Sequence, residues 1–454
     1  MSIDGHHLHP LSYLLGREGW TADSYLARLD VVHRRLGYGA IARDRKKVTR
    51  WTKGVTPDMR TQRAMAQLHG VPHEEVSVRP WPEWLRLACI SDRDVVTAAW
   101  TPTTTVDLLG RVATGGDDMM ERRGFLVVTG ISPVLAGAAG AQPAPGQTHG
   151  GRVSPGLADL FDHALATLRR QDDYLGAGQV HASARAQLRL VVGTLKTASY
   201  SEQTGRRLYA AAAEAARICG WTAYDSGRQA LAEEYYVAAL RAATSAADPA
   251  ATANILSYWA ALRLAEGDPA NAATLVTDAL SRSPQIGAPA MDAMLYARLA
   301  RAHARVREHR SAARALSAAF DAYDRARDRT PEETPDCVYW FNLGELYMQA
   351  GSCDLDLGRP DRALDRFTSA AAARDDAYRE DEFPRSTAIF LAREAEARMA
   401  LGDLDGAVES ARRAVGRLGG LPSARWTSSL GDLRAKLADH RGVPVVREFL
   451  EQTA

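Results

Sequence analysis

Cysteine is scarce: Cys89, Cys219, Cys337 and Cys353 are the four in 454 residues, far apart and with no C-x-x-C pair. Such spacing argues against a disulfide framework and against a zinc site, and a reducing compartment fits it. Aromatic residues make up only 7% of the chain. Val/Ile-rich runs of strand type are essentially missing beyond residue 155, which favours closely packed helices over sheets. Lysine is rare as well, with Lys46, Lys47, Lys53, Lys196 and Lys436 the five among 56 basic residues. Long clean apolar runs are also wanting. The best, within residues 119–141, is interrupted by Gly130, Pro133 and Gly137, which makes it marginal for spanning a bilayer.

That run follows Arg122-Arg123 in the manner of a twin-arginine export signal. Export signals act from the extreme amino end, and this one lies behind about 118 residues, so a linker helix or docked apolar segment is expected instead. No membrane partner and a cytoplasmic location follow. His6, His7 and His9 sit together at the start, where a disordered tail explains them better than a metal.

Catalytic patterns are missing too. There is no phosphate-binding G-x-x-x-x-G-K-[ST], no H-E-x-x-H, no G-x-S-x-G elbow and no Gly-rich dinucleotide turn after a strand. The Gly176-Ala177-Gly178 run reads as a helix-breaking turn, and the many carboxylates fit solvated helix faces. Neither an enzyme nor a cofactor or metal is expected.

What is present is a charge asymmetry. The net charge is +1, yet residues 1–90 hold 14 basic and 9 acidic residues and the remainder 42 and 46, so a head of about +5 precedes a body of about −4. Ten cations fall between Arg34 and Arg63, against Asp44 and Asp58 alone. A local excess of this kind points to a polyanion. From Asp44 to Lys53 the chain can form one helix with Val48 and Trp51 inward; Gly54 stops it and Pro57 restarts a second helix carrying Ala64, Met65, Leu68 and Val71. Arg45, Lys46, Thr49, Arg50 and Lys53 would project outward, with Arg43 and Lys47 beside them, suited to a DNA major groove; Arg60 and Arg63 are placed for phosphates.

A Trp/Pro-rich joint (Pro80-Trp81-Pro82-Glu83-Trp84) and a Gly/Ala/Pro/Gln-rich flexible stretch over 137–156 separate this head from a body of helical patterns. Four segments there repeat a small residue, a bulkier one four later and Ala three later, Ala232/Tyr236/Ala239, Ala272/Val276/Ala279, Ala312/Leu316/Ala319 and Ala363/Phe367/Ala370, and a fifth, Ala407/Ala411/Ala414, keeps the spacing with Ala in the bulky place. The spacings are 40, 40, 51 and 44 residues. About twelve residues earlier sits another small residue: Gly220, Ala260, Ala300, Gly351 and Ala395. Paired small residues allow two antiparallel helices to approach closely. A non-repetitive bundle is the alternative.

These features carry a resemblance. The segment Val48-Thr49-Arg50-Trp51-Thr52-Lys53-Gly54 resembles the end of the recognition helix in phage-repressor-type (XRE) helix-turn-helix domains. The turns Leu357-Gly358-Arg359-Pro360-Asp361 and Leu401-Gly402-Asp403-Leu404-Asp405 resemble those of tetratricopeptide repeats. With Trp100-Thr101-Pro102, Glu121-Arg122-Arg123-Gly124-Phe125-Leu126 and Gly220-Trp221-Thr222-Ala223-Tyr224-Asp225, nearly the whole chain is similar to actinobacterial XRE-type helix-turn-helix/tetratricopeptide regulators of specialised metabolism and development. Thr52 stands where the family usually has an acid, and the 36–43 connection is longer than the usual tight turn.

The resemblance implies an all-α fold: a helix-turn-helix domain over 1–78, a joint and linker over 79–154, and a tetratricopeptide-like α-solenoid over 155–454. It implies binding of double-stranded DNA as a homodimer, controlled by a small-molecule or peptide effector. The first helices of the repeats would line its groove with Glu214, Arg217, Trp221, Tyr224, Asn254, Ser257, Tyr258, Arg298, Arg301, Arg305, Glu345 and Gln349. The stripe Arg298, Arg301 and Arg305 suits a carboxylate or phosphate. The alternative is a tetratricopeptide interaction scaffold with a degenerate helix-turn-helix that does not bind DNA.

Overall fold

Helices account for nearly all of the regular structure in the computed structural model, which describes residues 9–17, 20–69, 71, 73–78, 80–82, 84–85, 99–114, 131–330, 333–373, 383–418 and 423–453. The only strands among them are Gly151–Arg152 and Ala198–Ser199, paired in parallel. The cluster His6/His7, Cys89 and residues 119–130 lie outside the described residues, while the rest of the apolar run forms helix Ser132–Gly140. The chain divides into two compact units. One comprises the described residues of Met1–Ala99 and Met119–Val134, the other those of Trp100–Asp118 and Leu135–Ala454.

The first unit is built from Pro10–Arg17, Ala22–Arg35, Arg45–Trp51, Met59–Leu68 and His73–Val78. Each start has a local cause. Thr21, Asp44 and Asp58 cap the second, third and fourth helices by accepting from Ser24 N, Lys46 N and Thr61 N. Gly54, at φ +90°, follows the third helix in a left-handed conformation that side chains with a Cβ resist. Tyr25, Leu26, Leu29, Val48, Trp51, Ala64, Met65 and Trp84 form one buried cluster. The inward placement of Val48 and Trp51 is as their spacing indicated. Trp84 Nε1–H donates to Gln62 Oε1 at 2.9 Å, and Gln62 Nε2–H to Pro57 O at 2.8 Å, so the indole enters the core with its polar atom satisfied.

In the second unit, helices pack as successive pairs: Glu202–Asp225 with Gln229–Ala246, Pro249–Ala265 with Pro269–Leu280, Pro289–Arg305 with His309–Arg327, Leu343–Asp356 with Pro360–Ala372, and Pro384–Ala400 with Leu404–Leu418. Before them come Pro155–Tyr174 and Ala177–Thr197, separated at the expected Gly176 break; after them come Ala424–Leu437 and Pro444–Gln452. The turn inside each of the five pairs places one residue in the left-handed region: Gly227, Gly267, Arg307, Gly358 and Gly402. These recur at the same 40, 40, 51 and 44 spacing as the side-chain pattern. Four of the five are glycine because a Cβ is disfavoured there; Arg307, at φ 57°, is the exception.

The small residues act as their pattern suggested. A Cβ on Gly220 would lie 2.8 Å from Tyr236 Cε1, and one on Gly351 would lie 2.8 Å from Phe367 Cε1. The bulky residue of the second helix therefore occupies the space that the glycine of the first leaves open. This sets how closely the two backbones approach.

Two described parts of the connecting stretch are pinned within the second unit. Helix Pro102–Thr114 packs on Ala177–Thr197 and Gln229–Ala246. Its last turn is held by Arg185 Nε–H and Arg189 Nε–H on Ala113 O (2.9 and 2.8 Å) and by Tyr235 O–H on Val112 O (2.9 Å). Within 137–156, Ala144 N–H donates to Ser245 O at 2.9 Å and Gln147 pairs with Tyr200. Its Gly-rich composition permits this close backbone approach: a Cβ on Gly150 would collide with Thr197 O.

Two glycine substitutions separate packing from propensity. Gly351→Ala should lower stability by about 1–2 kcal/mol in urea melts, because overpacking against Phe367 exceeds the roughly 1 kcal/mol helix preference of Ala. Gly416→Ala, exposed with nothing within 4 Å of the new Cβ, should raise it by up to about 1 kcal/mol.

Candidate functional site

Two regions carry functional chemistry, one in each unit. In the first, the buried Val48–Trp51 face of helix Arg45–Trp51 leaves its other side to solvent. Lys46, Thr49, Arg50, Lys53 and Arg60 are exposed, and Lys47 and Arg63 are half-buried. Among the described residues, none of these cations lies in an ion pair. Arg43 and Arg45 differ. Arg43 reaches Asp30 at 3.3 Å, and Arg45 Nε–H donates to Asp23 at 2.7 Å.

Asp30 braces the head from the second helix. Its carboxylate accepts from Ile41 N at 3.0 Å and from Arg34 and Arg43, and these donors hold it down at about 2. It thereby fixes the long 36–43 connection. The Thr49 hydroxyl donates back to Arg45 O at 3.4 Å, a weak bond along its own helix.

In the second unit a cavity of about 240 Å³ opens between the first helices of the pairs. Of the side chains nominated from the repeat pattern, Arg217, Trp221, Tyr258, Arg301, Glu345 and Gln349 line it. Five others do not. Tyr224 packs against Trp221; Asn254 and Ser257 are buried, and the Ser257 hydroxyl is spent on Asn254 O at 2.8 Å. Arg298 lies 5.5 Å from the ring centroids of both Tyr258 and Trp340, while exposed Arg305 reaches only the rear carboxylate Asp356 at 3.8 Å. Glu214 also stands behind the wall, bound to Arg169 and Arg217 at 2.8 Å.

The rest of the lining comes from three other places. Arg169, Asp172 and Asp173 belong to Pro155–Tyr174, ahead of the first pair. Tyr339 and Trp340 come from the connection between the third and fourth pairs, where the spacing stretches from 40 to 51 residues. Phe383, Arg385, Ile389, Phe390, Arg393 and Arg425 come from the start and inner face of the fifth pair and from Ala424–Leu437. Arg385 and Arg393 obey the same first-helix rule as the nominated residues. Tyr339, Trp340 and Arg425 lie outside any repeat and leave no periodic signal.

Buried ion pairs shape the walls. Asp225, fully buried, accepts from Arg385 and Arg425 at 2.7 Å and from Ser423 Oγ–H at 2.8 Å. Burial alone would raise its carboxyl, but the two guanidiniums outweigh burial and lower it. Asp172 Oδ2 accepts from Trp221 Nε1–H and Arg385, both at 2.9 Å, while its Oδ1 has no hydrogen-bond partner. At Glu214 the same contest between burial and Arg217 with Arg169 ends at about 2. Asp173 is the opposite case. Burial and neighbouring Asp172 push it up to about 7, against the Tyr339 O–H that donates to it at 2.5 Å.

The aromatic wall is edge-to-face, with Trp221 and Tyr258 centroids 5.0 Å apart at 83°. Arg425 lies 4.1 Å from the Trp221 centroid and Arg217 4.5 Å from that of Tyr258. Cys219, Cys337 and Cys353 are free thiols, and burial pushes each up to about 12, so none is a reactive thiolate. Among the described residues no group of acids, histidines and cysteines could hold a metal, and no helix is long and apolar enough to cross a membrane.

Comparison with known proteins adds little. No family model and no curated protein matches the chain. Among solved structures, that of BtubC (BKLC) from P. vanneervenii is similar at 19% identity and a TM-score of 0.36. The match covers 57% of this chain and 91% of that one. A likeness at that score decides nothing about fold or function.

Two substitutions test the walls. Asp225→Ala leaves Arg385 and Arg425 facing each other without their shared acid, and should cost roughly 3–5 kcal/mol of stability in denaturant melts. Asp173 has its folded pKa raised from 3.8 to about 7, so the folded state holds this proton more tightly than the unfolded chain. Its contribution is fully present below about pH 4 and is lost as pH rises through 7. Asp173→Asn should remove that decline from the stability–pH profile.

Proposed function

We propose that this chain is a DNA-binding transcriptional regulator: a helix-turn-helix head reads double-stranded DNA, and a tetratricopeptide-like solenoid takes up an effector. The observation that carries the DNA half is the outer face of helix Arg45–Trp51 and its neighbour. Lys46, Lys47, Arg50, Lys53, Arg60 and Arg63 sit around one rigid, core-anchored element, with no ion pair to the described residues of their own protein. Unpaired cations on a helix held from behind by Val48 and Trp51 suit phosphates and guanine edges. Arg43 and Arg45, tied to Asp30 and Asp23, act in this reading as braces that orient the element.

The solenoid half is supported by the five turns that repeat one left-handed position and by the cavity among the first helices. Homodimerisation follows from paired half-sites, the usual way such a small head gains affinity and specificity. An effector that prefers one arrangement of the body changes DNA affinity by its differential affinity for the two states.

Fluorescence anisotropy of promoter DNA against ionic strength tests the proposal. The chain should bind a preferred site with a steep loss of affinity as salt rises. Replacing Lys46, Lys47, Arg50 and Lys53 by Ala should make the log–log slope shallower by about 3–4, near 0.9 per lost phosphate contact. A flat salt response with no preferred sequence would instead favour the interaction scaffold.

A further inference from the structure

The cavity has a corner in which positive charge exceeds the carboxylates provided for it. Arg301 on Pro289–Arg305 and Arg393 on Pro384–Ala400 both line the cavity, with Ser352 of Leu343–Asp356 between their helices. Asp356 serves three guanidiniums at once: Arg393 at 2.5 Å, Arg301 at 3.7 Å and Arg305 at 3.8 Å. Glu396 adds a second carboxylate, 2.8 Å from Arg393, but it is shared with Lys436, also at 2.8 Å. Four cations thus share these two carboxylates: Arg301 and Arg393 line the cavity, while the partly exposed Arg305 and Lys436 stand outside the lining. Burial accordingly pushes the Arg301 guanidinium down from its ordinary value.

Donors remain unused at the same place. The Ser352 hydroxyl, in a residue only 1% exposed, has no hydrogen-bond partner, and Arg301 Nη1 meets only Asp356 Oδ2, at 3.7 Å and beyond hydrogen-bond length. Buried donors left open cost about 1–3 kcal/mol each, so they are retained where something arrives to accept from them. Arg393 donates to Ser352 O at 3.3 Å, which holds the corner in shape.

We infer that this corner seats a small organic oxyanion, a carboxylate or phosphate monoester carried on a planar ring, with Arg301, Arg393 and Ser352 donating to the oxygens. Trp221, Tyr258 and Trp340 receive the ring. Arg425 and Arg217, which also line the cavity, lie over Trp221 and Tyr258, so a planar, electron-rich ring suits this mixed aromatic and guanidinium wall. A peptide fits less well. The cavity, at about 240 Å³, falls below the roughly 300–1,000 Å³ of drug-sized sites. The side-chain amides suited to a peptide backbone are also withdrawn: Asn254 is not in the lining, and Gln349 Nε2–H is spent on Glu345 at 2.7 Å.

The inference deepens the effector half of the proposed function and does not depend on DNA binding. The test is titration of the full chain with benzoate, phenyl phosphate and neutral benzamide, read by tryptophan fluorescence and saturation-transfer NMR. Both anions should bind saturably and compete, and benzamide should bind at least tenfold more weakly, the scale of a buried charge-assisted hydrogen bond. Arg301→Gln and Ser352→Ala should each weaken phenyl phosphate by about tenfold or more. Arg305→Gln, which shares Asp356 but does not line the cavity, should change it by less than about twofold.

Should Arg301→Gln lower the melting temperature so far that binding cannot be read, Ser352→Ala, which removes one hydroxyl and no charge, decides. Absence of anion binding, benzamide binding as tightly as the anions, or equal weakening by Arg305→Gln overturns the seat. A chain that binds the anions and ignores promoter DNA refutes the regulator and keeps the seat; the reverse refutes the seat alone.

Discussion

The body of this protein depends on one carboxylate. Asp225 ends the first helix of the first pair, and it accepts from Arg385, 160 residues later, and from Ser423 and Arg425, about 200 residues later. Successive helical pairs contact mainly their neighbours, so nothing in the repeat itself obliges the first pair to meet the fifth. A buried, hydrogen-bonded carboxylate with two guanidiniums does so, because each partner left alone would be a charge without solvent. The cavity lies where that closure brings Pro155–Tyr174, the first helices and Ala424–Leu437 together.

The same interaction explains why the cavity is lined by arginine backed by acids. Glu214, Asp225 and Asp356 stand behind the wall and hold Arg169, Arg217, Arg301, Arg385, Arg393 and Arg425 in place. Guanidinium suits this role better than ammonium: its planar fork bonds a carboxylate on one side and keeps N–H groups for another partner. The great excess of arginine over lysine therefore has at least one structural use. In the head the arrangement is reversed. Cations there stand on the solvent side of a helix whose apolar face anchors it, and among the described residues of the 34–63 cluster Arg34, Arg43 and Arg45 are the ones turned toward acids of their own unit.

Much of the architecture was legible because it rests on local rules. The small–bulky–small spacing marked the five pairs, since a glycine facing Tyr236 or Phe367 is a requirement of close helix approach. The Gly-rich turns marked the same pairs, since a left-handed residue closes each hairpin. The inward face of Val48 and Trp51 followed from helical periodicity. Six cavity residues were reached by the same reasoning; Arg385 and Arg393 satisfied it and were passed over. Tyr339, Trp340 and Arg425 were beyond it, because they lie outside any repeat and reach the cavity only through the long connection and the terminal helices. The bonds of the 137–156 stretch to Ser245 and Tyr200 were not legible, because Gly and Pro signal loops whether or not a neighbouring backbone pairs with them.

By itself the sequence determined an all-helical chain with a basic head, five helical hairpins and the positions of their turns. Each of these follows from interactions within about a dozen residues, where spacing alone says which side chains meet. Only the tertiary structure decided which arginines find their acids, that Asp225 joins the first pair to the fifth, and that the buried Ser352 hydroxyl keeps its donor open. The long-range pairings among them span 37 to 213 residues, and at that range any of the 56 cations could in principle have met any of the 55 acids. Geometry, through burial and distance, makes the selection that the one-dimensional pattern leaves undetermined.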